Sequence, residues 1–244
     1  MRIKLTLGYD GTEFCGWQVQ PNATSVQEMI KKAVFAVTGE KVRVTGSGRT
    51  DSGVHALGQV AHFDTENKTV NPEKFYRALN AHLPESIRVY SSQKVEDSFD
   101  ACRTAKKKTY KYTLYLGEVE NPLKERYAVR VEDNLDVEKI RSCASVFVGE
   151  HDFKCMCASG SSIKTTVRTI YNIDIEKQGQ DLTFTVTGNG FLYNMVRILV
   201  GTLLKAGRGE TDRQELEQML ASGKRAMGGR TLPAKGLCLF SVEY

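Results

Sequence analysis

The chain has 244 residues, of which 41% are hydrophobic and 26% are charged, and its formal net charge is +5. This composition is typical of a globular protein, and the length allows one large domain or two of average size. The most apolar window, 191–204, is interrupted by Asn194 and Arg197. It is too short and too polar to span a bilayer, and the N-terminus lacks the apolar stretch of a signal peptide. We therefore predict a soluble, cytoplasmic protein without a membrane segment.

The six cysteines are scattered and form no repeated C-x-x-C pair. Free thiols are the expectation for such a pattern in an intracellular protein. His151, Cys155 and Cys157 are neighbours in sequence, but one residue separates the two thiols. Structural zinc sites favour thiols that are about two to four residues apart, and a fourth ligand is not evident. We therefore predict no metal.

The first half of the chain contains elements in the order strand, helix, strand, strand, helix, strand. Residues 1–9 alternate apolar and polar side chains with the period of a strand. Ser25-Val-Gln-Glu28 is a capping box, and apolar residues follow at helical spacing until Gly39. Asn71-Pro72 opens a second helix that runs to about His82. The remaining strands are predicted at 41–45, 59–64 and 87–94. This order is the βαββαβ, or ferredoxin-like, arrangement.

The second half repeats the order at the level of elements, without visible similarity between individual residues. The predicted strands are 107–116, 167–177, 181–187 and 237–244, and the predicted helices are 136–148, 191–206 and 211–220. We therefore predict an α+β protein with two ferredoxin-like halves, whose mixed, mainly antiparallel sheets flank a central active-site cleft. A boundary near Thr104 divides the chain into domains 1–104 and 105–244.

Basic residues cluster around two tyrosines at the start of the second half. The cluster comprises Arg103, Lys106, Lys107, Lys108 and Lys111, beside Tyr110 and Tyr112. Such a run alone is as typical of a solvated face as of a surface that binds a polyanion.

A glycine-rich run, Gly-Ser-Gly-Arg-Thr-Asp-Ser-Gly-Val-His, occupies 46–55. A Walker loop would require Lys-Ser or Lys-Thr after the last glycine, and a dinucleotide loop would require a following helix. Neither fits, because the next segment has the pattern of a strand. The glycines allow the backbone to approach a ligand closely, and the loop presents Arg49 and Asp51. From these residues alone, Asp51 is either a turn-capping acid or a catalytic carboxylate.

Four sequence blocks occur in a fixed order along the chain. They are 9–18 with 25–28, Gly48-Arg-Thr-Asp-Ser-Gly-Val-His-Ala56, Lys108-Thr-Tyr-Lys-Tyr112 and Gly190-Phe-Leu-Tyr-Asn-Met-Val-Arg-Ile-Leu-Val-Gly201. Together they extend over essentially the whole chain and resemble the blocks of the TruA family of tRNA pseudouridine synthases. One departure is Ser52, where the family commonly has alanine. Because serine is also small, it fits such a loop.

The resemblance implies an isomerase that converts uridine to pseudouridine in the anticodon stem-loop of tRNA, at positions 38, 39 and 40. The N1–C1′ bond breaks, the uracil turns, and C5 bonds to C1′. Because reactant and product are isomers, no cofactor is implied. The family also implies a homodimer. Two other classes remain alternatives on the residues alone: a silent RNA-binding module, and a nucleotide-hydrolysing enzyme, for which a phosphate loop and magnesium carboxylates are missing.

The resemblance also implies roles for individual residues. Asp51, in domain 1–104, is the implied catalytic carboxylate, which either attacks C1′ or deprotonates the sugar to give a glycal. Arg197 is implied to favour the ionised form of Asp51 in a dry pocket, although a helix arginine of this kind could equally extend to solvent or pair with some other acid. Tyr110 is implied to lie against the base, although strand alternation alone favours a core residue. Arg49 suits either an RNA phosphate or Asp51.

The domain 105–244 is implied to complete the cleft, and Tyr110 and Arg197 to lie close to Asp51 across it. The target uridine must leave the folded RNA arm and enter the pocket. The basic residues then hold the arm, and this role is implied for Lys106, Lys107, Lys108 and Lys111. His55 and His62 are predicted to be structural.

Overall fold

In a computed structural model, which describes residues 1–132, 135–158 and 164–244, the chain divides into two units. Unit 1 consists of Met1–Lys106 with Cys238–Tyr244, and unit 2 of Lys107–Leu237. The predicted domain ranges differ from these units at the C-terminal end, where 238–244 lies in unit 1. The physical reason is strand pairing, since Cys238 and Leu239 pair with the first strand after the glycine-rich run.

Unit 1 contains the predicted βαββαβ order and the matching sheet. Its strands are β1 (Arg2–Tyr9), β2 (Thr45–Gly46), β3 (His55–Asp64) and β4 (Ile87–Val95), and the late strand is β10 (Leu237–Glu243). The order is β4-β1-β3, and β2 pairs with β3, with every one of these pairs antiparallel. β10 adds a parallel pair on β3. One face buries Ile3, Leu5 and Leu7 of β1, which confirms the alternation predicted for this strand.

The helices of unit 1 are α1 (Val26–Thr38) and α2 (Phe75–Asn80). The hydroxyl of Ser25 accepts the Glu28 N–H at the start of α1, and Gly39 ends it in the left-handed region with φ +75°. Both capping predictions are confirmed. The predicted helix 71–82 is instead a 3₁₀ turn, Pro72–Lys74, followed by the six residues of α2.

The strand predicted at 41–45 is wrong for most of its length. Only Thr45 and Gly46 form β2, which pairs with β3. The carbonyl of Val44 accepts a hydrogen bond from the side-chain amide of Gln27, at 2.8 Å, rather than from a neighbouring strand. The following strand is longer than predicted. β3 begins at His55 rather than at 59, so the glycine-rich run leads directly into it.

Unit 2 has a sheet in the order β5-β9-β8-β7, and every pair is antiparallel. The strands are β5 (Lys107–Leu116), β7 (Gly149–Asp152), β8 (Val167–Gln178) and β9 (Asp181–Gly188), and the short β6 (Val129–Val131) pairs parallel with β5. The predicted hairpin is confirmed, since Gln178 pairs with Asp181 across Gly179. β6 and β7 were not predicted, because three or four residues do not display a period.

In the described part of unit 2 the helices are α3 (Val137–Ala144), α4 (Met195–Gly207) and α5 (Arg213–Ser222). The predicted helix 136–148 ends earlier and continues as a 3₁₀ turn, Ser145–Phe147. The predicted helix 191–206 begins four residues later, because Asn194 has a φ of +61° that an α-helix does not accommodate. α5 begins with a capping box between Asp212 and Glu215.

The sheets and helices together confirm the α+β class with mixed, mainly antiparallel strands. The parallel pairs are β10 with β3 and β6 with β5. Within the three described ranges, no helix has the length and apolar character needed to cross a membrane.

Candidate active site

A buried hydrogen-bond network holds the loop that carries Asp51. Gln59, on β3, is fully buried, and its Oε1 accepts the Ser47 hydroxyl at 2.6 Å. Its Nε2 donates to the carbonyl of Gly48 at 3.1 Å and to the Tyr9 hydroxyl at 3.4 Å. The Tyr9 hydroxyl lies 2.8 Å from Oγ1 of Thr50. Both ends of 47–50 are therefore fixed to the sheet by side chains that are themselves buried.

The first sequence block packs directly against this loop. Gly16 has a φ of +82°, and a Cβ atom there would lie 2.4 Å from the carbonyl oxygen of Thr50. A Cβ atom on Gly11 would lie 2.0 Å from the carbonyl oxygen of Val54. The backbone N–H of Trp17 donates to the Thr50 carbonyl at 3.0 Å. The two blocks thus form one structure in which glycine is required for close backbone approach.

Asp51 is half-buried and is the first residue of the tight turn, 51–54, that ends the loop. Its carbonyl accepts the Val54 N–H at 3.1 Å, and Gly53 has a φ of +76°. The Gly53 N–H donates to the carbonyl of Phe14 at 3.3 Å. The backbone on either side of the carboxylate is therefore anchored, which fixes the direction in which the side chain leaves the chain.

Arg49 lies on the exposed side of the same loop. Its guanidinium forms no ion pair with Asp51 or with any other acid among the described residues. The two partners suggested by the sequence, an RNA phosphate and Asp51, therefore stay predictions.

His55 and His62, which were predicted to be structural, each accept a hydrogen bond from a backbone N–H of unit 1. Nδ1 of His55 accepts the N–H of Gly11 at 3.1 Å, which adds a further link between the two loops. Nδ1 of His62 accepts the N–H of Ala101, also at 3.1 Å. Burial lowers the pKa of His62, and the nearby charge of Arg2 lowers it further.

Tyr110 lies on β5 in unit 2, opposite Val186 of β9. Only 8% of its surface is exposed, and its ring meets that of Phe191 edge to face, with 5.2 Å between centroids. Tyr112, two residues on, is fully buried, and its hydroxyl donates to the carbonyl of Pro233 at 2.6 Å. Tyr112 is therefore a core residue, whereas Tyr110 lies at the edge of the buried region.

Arg197 lies in the first turn of α4 and is half-buried. Its Nε donates to the carbonyl of Leu232 at 2.7 Å, and its Nη1 donates to Oδ1 of Asn194 at 2.6 Å. The guanidinium is thus held by protein atoms and does not simply extend into solvent, which was the alternative for this helix residue.

The predicted basic cluster divides between the two units at the start of β5. Lys106 is in unit 1 and is exposed, while Lys107, Lys108 and Lys111 belong to unit 2. The ammonium of Lys107 lies 5.9 Å from the ring centroid of Tyr171, which is 46% exposed. Tyr171 adds an exposed aromatic surface beside the lysines that the sequence did not indicate. Stacking surfaces next to cations suit RNA bases and phosphates.

Within the described ranges, no group of His, Cys, Asp and Glu side chains has an arrangement that could hold a metal ion. Nε2 of His151 lies 3.1 Å from the carbonyl oxygen of Val148. Cys155 is buried, and this burial raises the pKa of its thiol to about 11.

Asp51 and Arg49 therefore lie in unit 1, and Tyr110 and Arg197 in unit 2, so their meeting across a cleft stays a prediction. Sequence reasoning missed Gln59, Asn194 and Tyr171. Only Asn194 lies inside a recognised block, and nothing in its neighbours indicates its conformation.

The chain combines an α+β fold and an anchored loop carrying a carboxylate with aromatic and cationic side chains on a second unit. These are features of an enzyme that modifies RNA. A family model described as "tRNA pseudouridine synthase" matches residues 7–103 and 143–244. The chain is 46% identical over 242 residues to "tRNA pseudouridine synthase A" of Acetivibrio thermocellus, covering 99% of both chains. It is 44% identical over 243 residues to the protein of that name from Brevibacillus brevis, covering 100% of this chain and 99% of the relative.

A further relative, "tRNA pseudouridine synthase A 2" of Clostridium perfringens, is 43% identical over 242 residues, with 99% of each chain covered. The chain therefore belongs to the TruA family of tRNA pseudouridine synthases. It is an isomerase that acts on uridine in tRNA. Among solved structures, 83% of the chain aligns with 45% of a chain in "Crystal Structure of a Cbf5-Nop10-Gar1 Complex", at 19% identity and a TM-score of 0.37.

Proposed function

We propose that the enzyme isomerises uridines of the anticodon stem-loop, at positions 38, 39 and 40, with Asp51 as its catalytic carboxylate. The observation that carries the proposal is the anchoring of 47–54, which holds Asp51 half-buried on a rigid support in unit 1. A catalytic group gains most when its position is fixed before the substrate arrives.

The chemistry needs one carboxylate next to the ribose. In one route Asp51 attacks C1′, the N1–C1′ bond breaks, and a glycosyl ester forms. The detached uracil anion then turns, C5 displaces the carboxylate at C1′, and the C5 hydrogen leaves as a proton while N1 takes one up. In the other route the carboxylate removes the C2′ proton as the N1–C1′ bond breaks, which gives a glycal and a uracil anion. C5 then adds to C1′, a proton returns to C2′, and C5 loses its proton while N1 gains one. Both routes require an ionised Asp51 and end in the same isomer.

The residues of unit 2 support this reaction. Tyr110 is proposed to lie against the target base, and its edge-to-face contact with Phe191 fixes the plane of its ring. Arg197 is proposed to favour the ionised form of the catalytic carboxylate, because a nearby guanidinium opposes the effect of burial. Its two neutral acceptors leave its positive charge intact.

RNA binding is proposed to use cations at the surface. Arg49 suits a backbone phosphate, since it is exposed and not paired with an acid in the described chain. Lys106, Lys107, Lys108 and Lys111 are proposed to hold the anticodon arm, while the target uridine is flipped out of its helix. Cytoplasmic location and a homodimer are proposed from the family resemblance alone, and light scattering of the purified protein tests the dimer.

The test is to incubate unmodified tRNA transcript with the enzyme and map pseudouridine. Transcripts that retain a single uridine at 38, 39 or 40 identify the target positions. We expect product with the wild type and none with Asp51→Asn. Asp97→Asn, an exposed acid in the same unit, is the matched control and should keep wild-type activity.

A gel shift with the same tRNA separates binding from chemistry. Retained binding by Asp51→Asn would place the variant's defect in the chemical step. Product formed by Asp51→Asn at the wild-type rate would refute the role of Asp51. Product confined to uridines outside the anticodon arm would refute the proposed target.

A further inference from the structure

The residue before α4 has an unusual backbone. Asn22 and Asn194 are the two non-glycine residues with positive φ in the described part of the chain, and Asn194 has φ +61°. Asparagine tolerates this left-handed region better than most residues, but it is still less favourable than the ordinary regions. A conformation of this kind persists only where the surrounding contacts hold it.

The side chain of Asn194, at the N-cap position of α4, does not cap the helix. An N-cap asparagine normally accepts a backbone N–H from the first turn of its helix. Asn194 makes no such bond to α4, every residue of which the structure describes. Its Oδ1 accepts instead from the side chain of Arg197, three residues on, at 2.6 Å. The amide is therefore used to orient a guanidinium rather than to cap α4.

A second acceptor holds the guanidinium from the segment that follows α5. Nε of Arg197 donates to the carbonyl of Leu232 at 2.7 Å. This segment is docked on α4 by glycines, since a Cβ atom on Gly229 would lie 2.2 Å from the carbonyl oxygen of Gly201. The Gly229 N–H also donates to the hydroxyl of Thr202 at 2.9 Å. The position of the Leu232 carbonyl is therefore fixed by close packing.

Two neutral oxygen atoms, of Leu232 and Asn194, thus accept hydrogen bonds from two N–H groups of the planar Arg197 guanidinium. A guanidinium held at Nε and Nη1 has a defined plane and direction, because its donors form a rigid fork. An aspartate or glutamate in the place of Asn194 would cancel part of the charge, whereas an amide orients it and leaves the charge intact.

We propose that Asn194 is a positioning residue that, with the carbonyl of Leu232, directs the Arg197 guanidinium at the reacting site. This inference rests on the proposed role of Arg197. The left-handed backbone of Asn194 is what turns its amide toward the guanidinium, and the missing helix cap is the consequence.

The decisive variant is Asn194→Gly, because glycine accepts a positive φ without strain and removes only the amide. Asn22→Gly is the matched control, since it makes the same change at the other left-handed asparagine, which is exposed. Arg197→Lys keeps a positive charge but loses the fork. The double variant of Asn194→Gly and Arg197→Lys completes a double-mutant cycle.

Single-turnover and steady-state kinetics on tRNA transcript, with thermal melting of each variant, give the readout. We expect Asn194→Gly to lower kcat by about 10- to 100-fold, the range for losing a hydrogen bond to a charged group. KM and the melting temperature should remain close to those of the wild type. Asn22→Gly should keep wild-type kcat. The double variant should be no slower than Arg197→Lys alone.

Three results of these measurements would overturn the inference. Multiplicative losses in the double variant would show that Asn194 acts independently of Arg197 and would overturn the inference. A normal kcat for Asn194→Gly, with a slow Arg197→Lys, would also overturn it while leaving the role of Arg197 intact. A normal kcat for Arg197→Lys would likewise overturn the inference, because a charge without the oriented fork would then suffice. Wild-type product from Asp51→Asn, in the mapping experiment described above, would instead refute the proposed function.

Discussion

Replacing Gln59 by methionine would remove the centre of the network beneath the loop that carries Asp51 while keeping the side chain's volume. Ser47 and the carbonyl of Gly48 would lose hydrogen bonds of 2.6 and 3.1 Å, and Tyr9 a weaker one of 3.4 Å. Each buried polar group that loses its partner costs about 1–3 kcal/mol. Because two of these hydrogen bonds are short, we expect the free energy of unfolding to fall by about 2–4 kcal/mol.

The same change should affect the reaction, because 47–50 would no longer be fixed to β3. A displacement of roughly 1 Å of a catalytic group can cost about 100-fold in rate. We therefore expect Gln59→Met to lower kcat by about that factor, with little change in tRNA binding. Pseudouridine formation releases the C5 hydrogen of uridine, so tritium release from C5-labelled tRNA measures the rate. Urea unfolding measures the stability.

Tyr9→Phe is a milder change in the same network than Gln59→Met, because it removes only the hydroxyl that lies 2.8 Å from Oγ1 of Thr50. It should cost about 1 kcal/mol of stability and a smaller part of kcat. An unfolding midpoint of Gln59→Met equal to that of the wild type would show that the network contributes nothing to stability. A destabilised Gln59→Met with wild-type kcat would show that anchoring of the loop is irrelevant to catalysis.

Three further predictions concern other parts of the molecule. Burial lowers the folded-state pKa of His62, so protonation of this histidine favours the unfolded state. The free energy of unfolding should therefore fall as the pH drops below about 6.5. Urea midpoints at several pH values should show this fall, and His62→Gln should flatten the profile. Exposed Cys15 should react with a thiol reagent in the native protein, whereas Cys155, whose pKa burial raises to about 11, should react only after unfolding; equal rates by mass spectrometry would contradict this. Gly201→Ala, whose Cβ would lie 2.1 Å from a facing carbonyl oxygen, should cost about 1–3 kcal/mol and lower kcat. Gly117→Ala, with no neighbour closer than 3.7 Å in the described chain, should unfold and turn over like the wild type.

The elements that were predicted well are those whose signals are local. Ser25 and Gly39 bound α1 because their side chain, or lack of one, acts within a single helical turn. The hairpin around Gly179 is likewise decided by a few adjacent residues. Regular alternation over eight or more residues was enough for β1 and β5.

The errors lie where distant contacts decide the outcome. The segment 41–44 has the composition of a strand, but the carbonyl of Val44 is taken by a side chain of α1. The start of α4 is displaced because Asn194 adopts a left-handed backbone to reach Arg197. No window of neighbouring residues contains that information, since the structure that holds Arg197 includes the carbonyl of Leu232.

The site was predictable to a different degree for each residue. Asp51 could be singled out only by the resemblance, because a turn-capping acid has the same local pattern. The role of Gln59 could not be predicted, since a polar residue in a strand is ordinarily exposed. Its burial follows from the loop that folds over it. The resemblance implies which residues act, whereas the structure shows which residues hold Asp51 and Arg197 in place.

The pairing of β10 with β3 also has a consequence for the order in which the protein is made. The residues of β10 that meet His55 and Ala56 are translated after all of unit 2. His55 lies four positions beyond Asp51, so the strand that follows the Asp51 loop gains this partner only late in synthesis. A nascent chain can form β1 to β4 early, since these pair among themselves. Completion of the sheet on the ribosome must wait for the last strand, which makes assembly of the first unit depend on synthesis of the second.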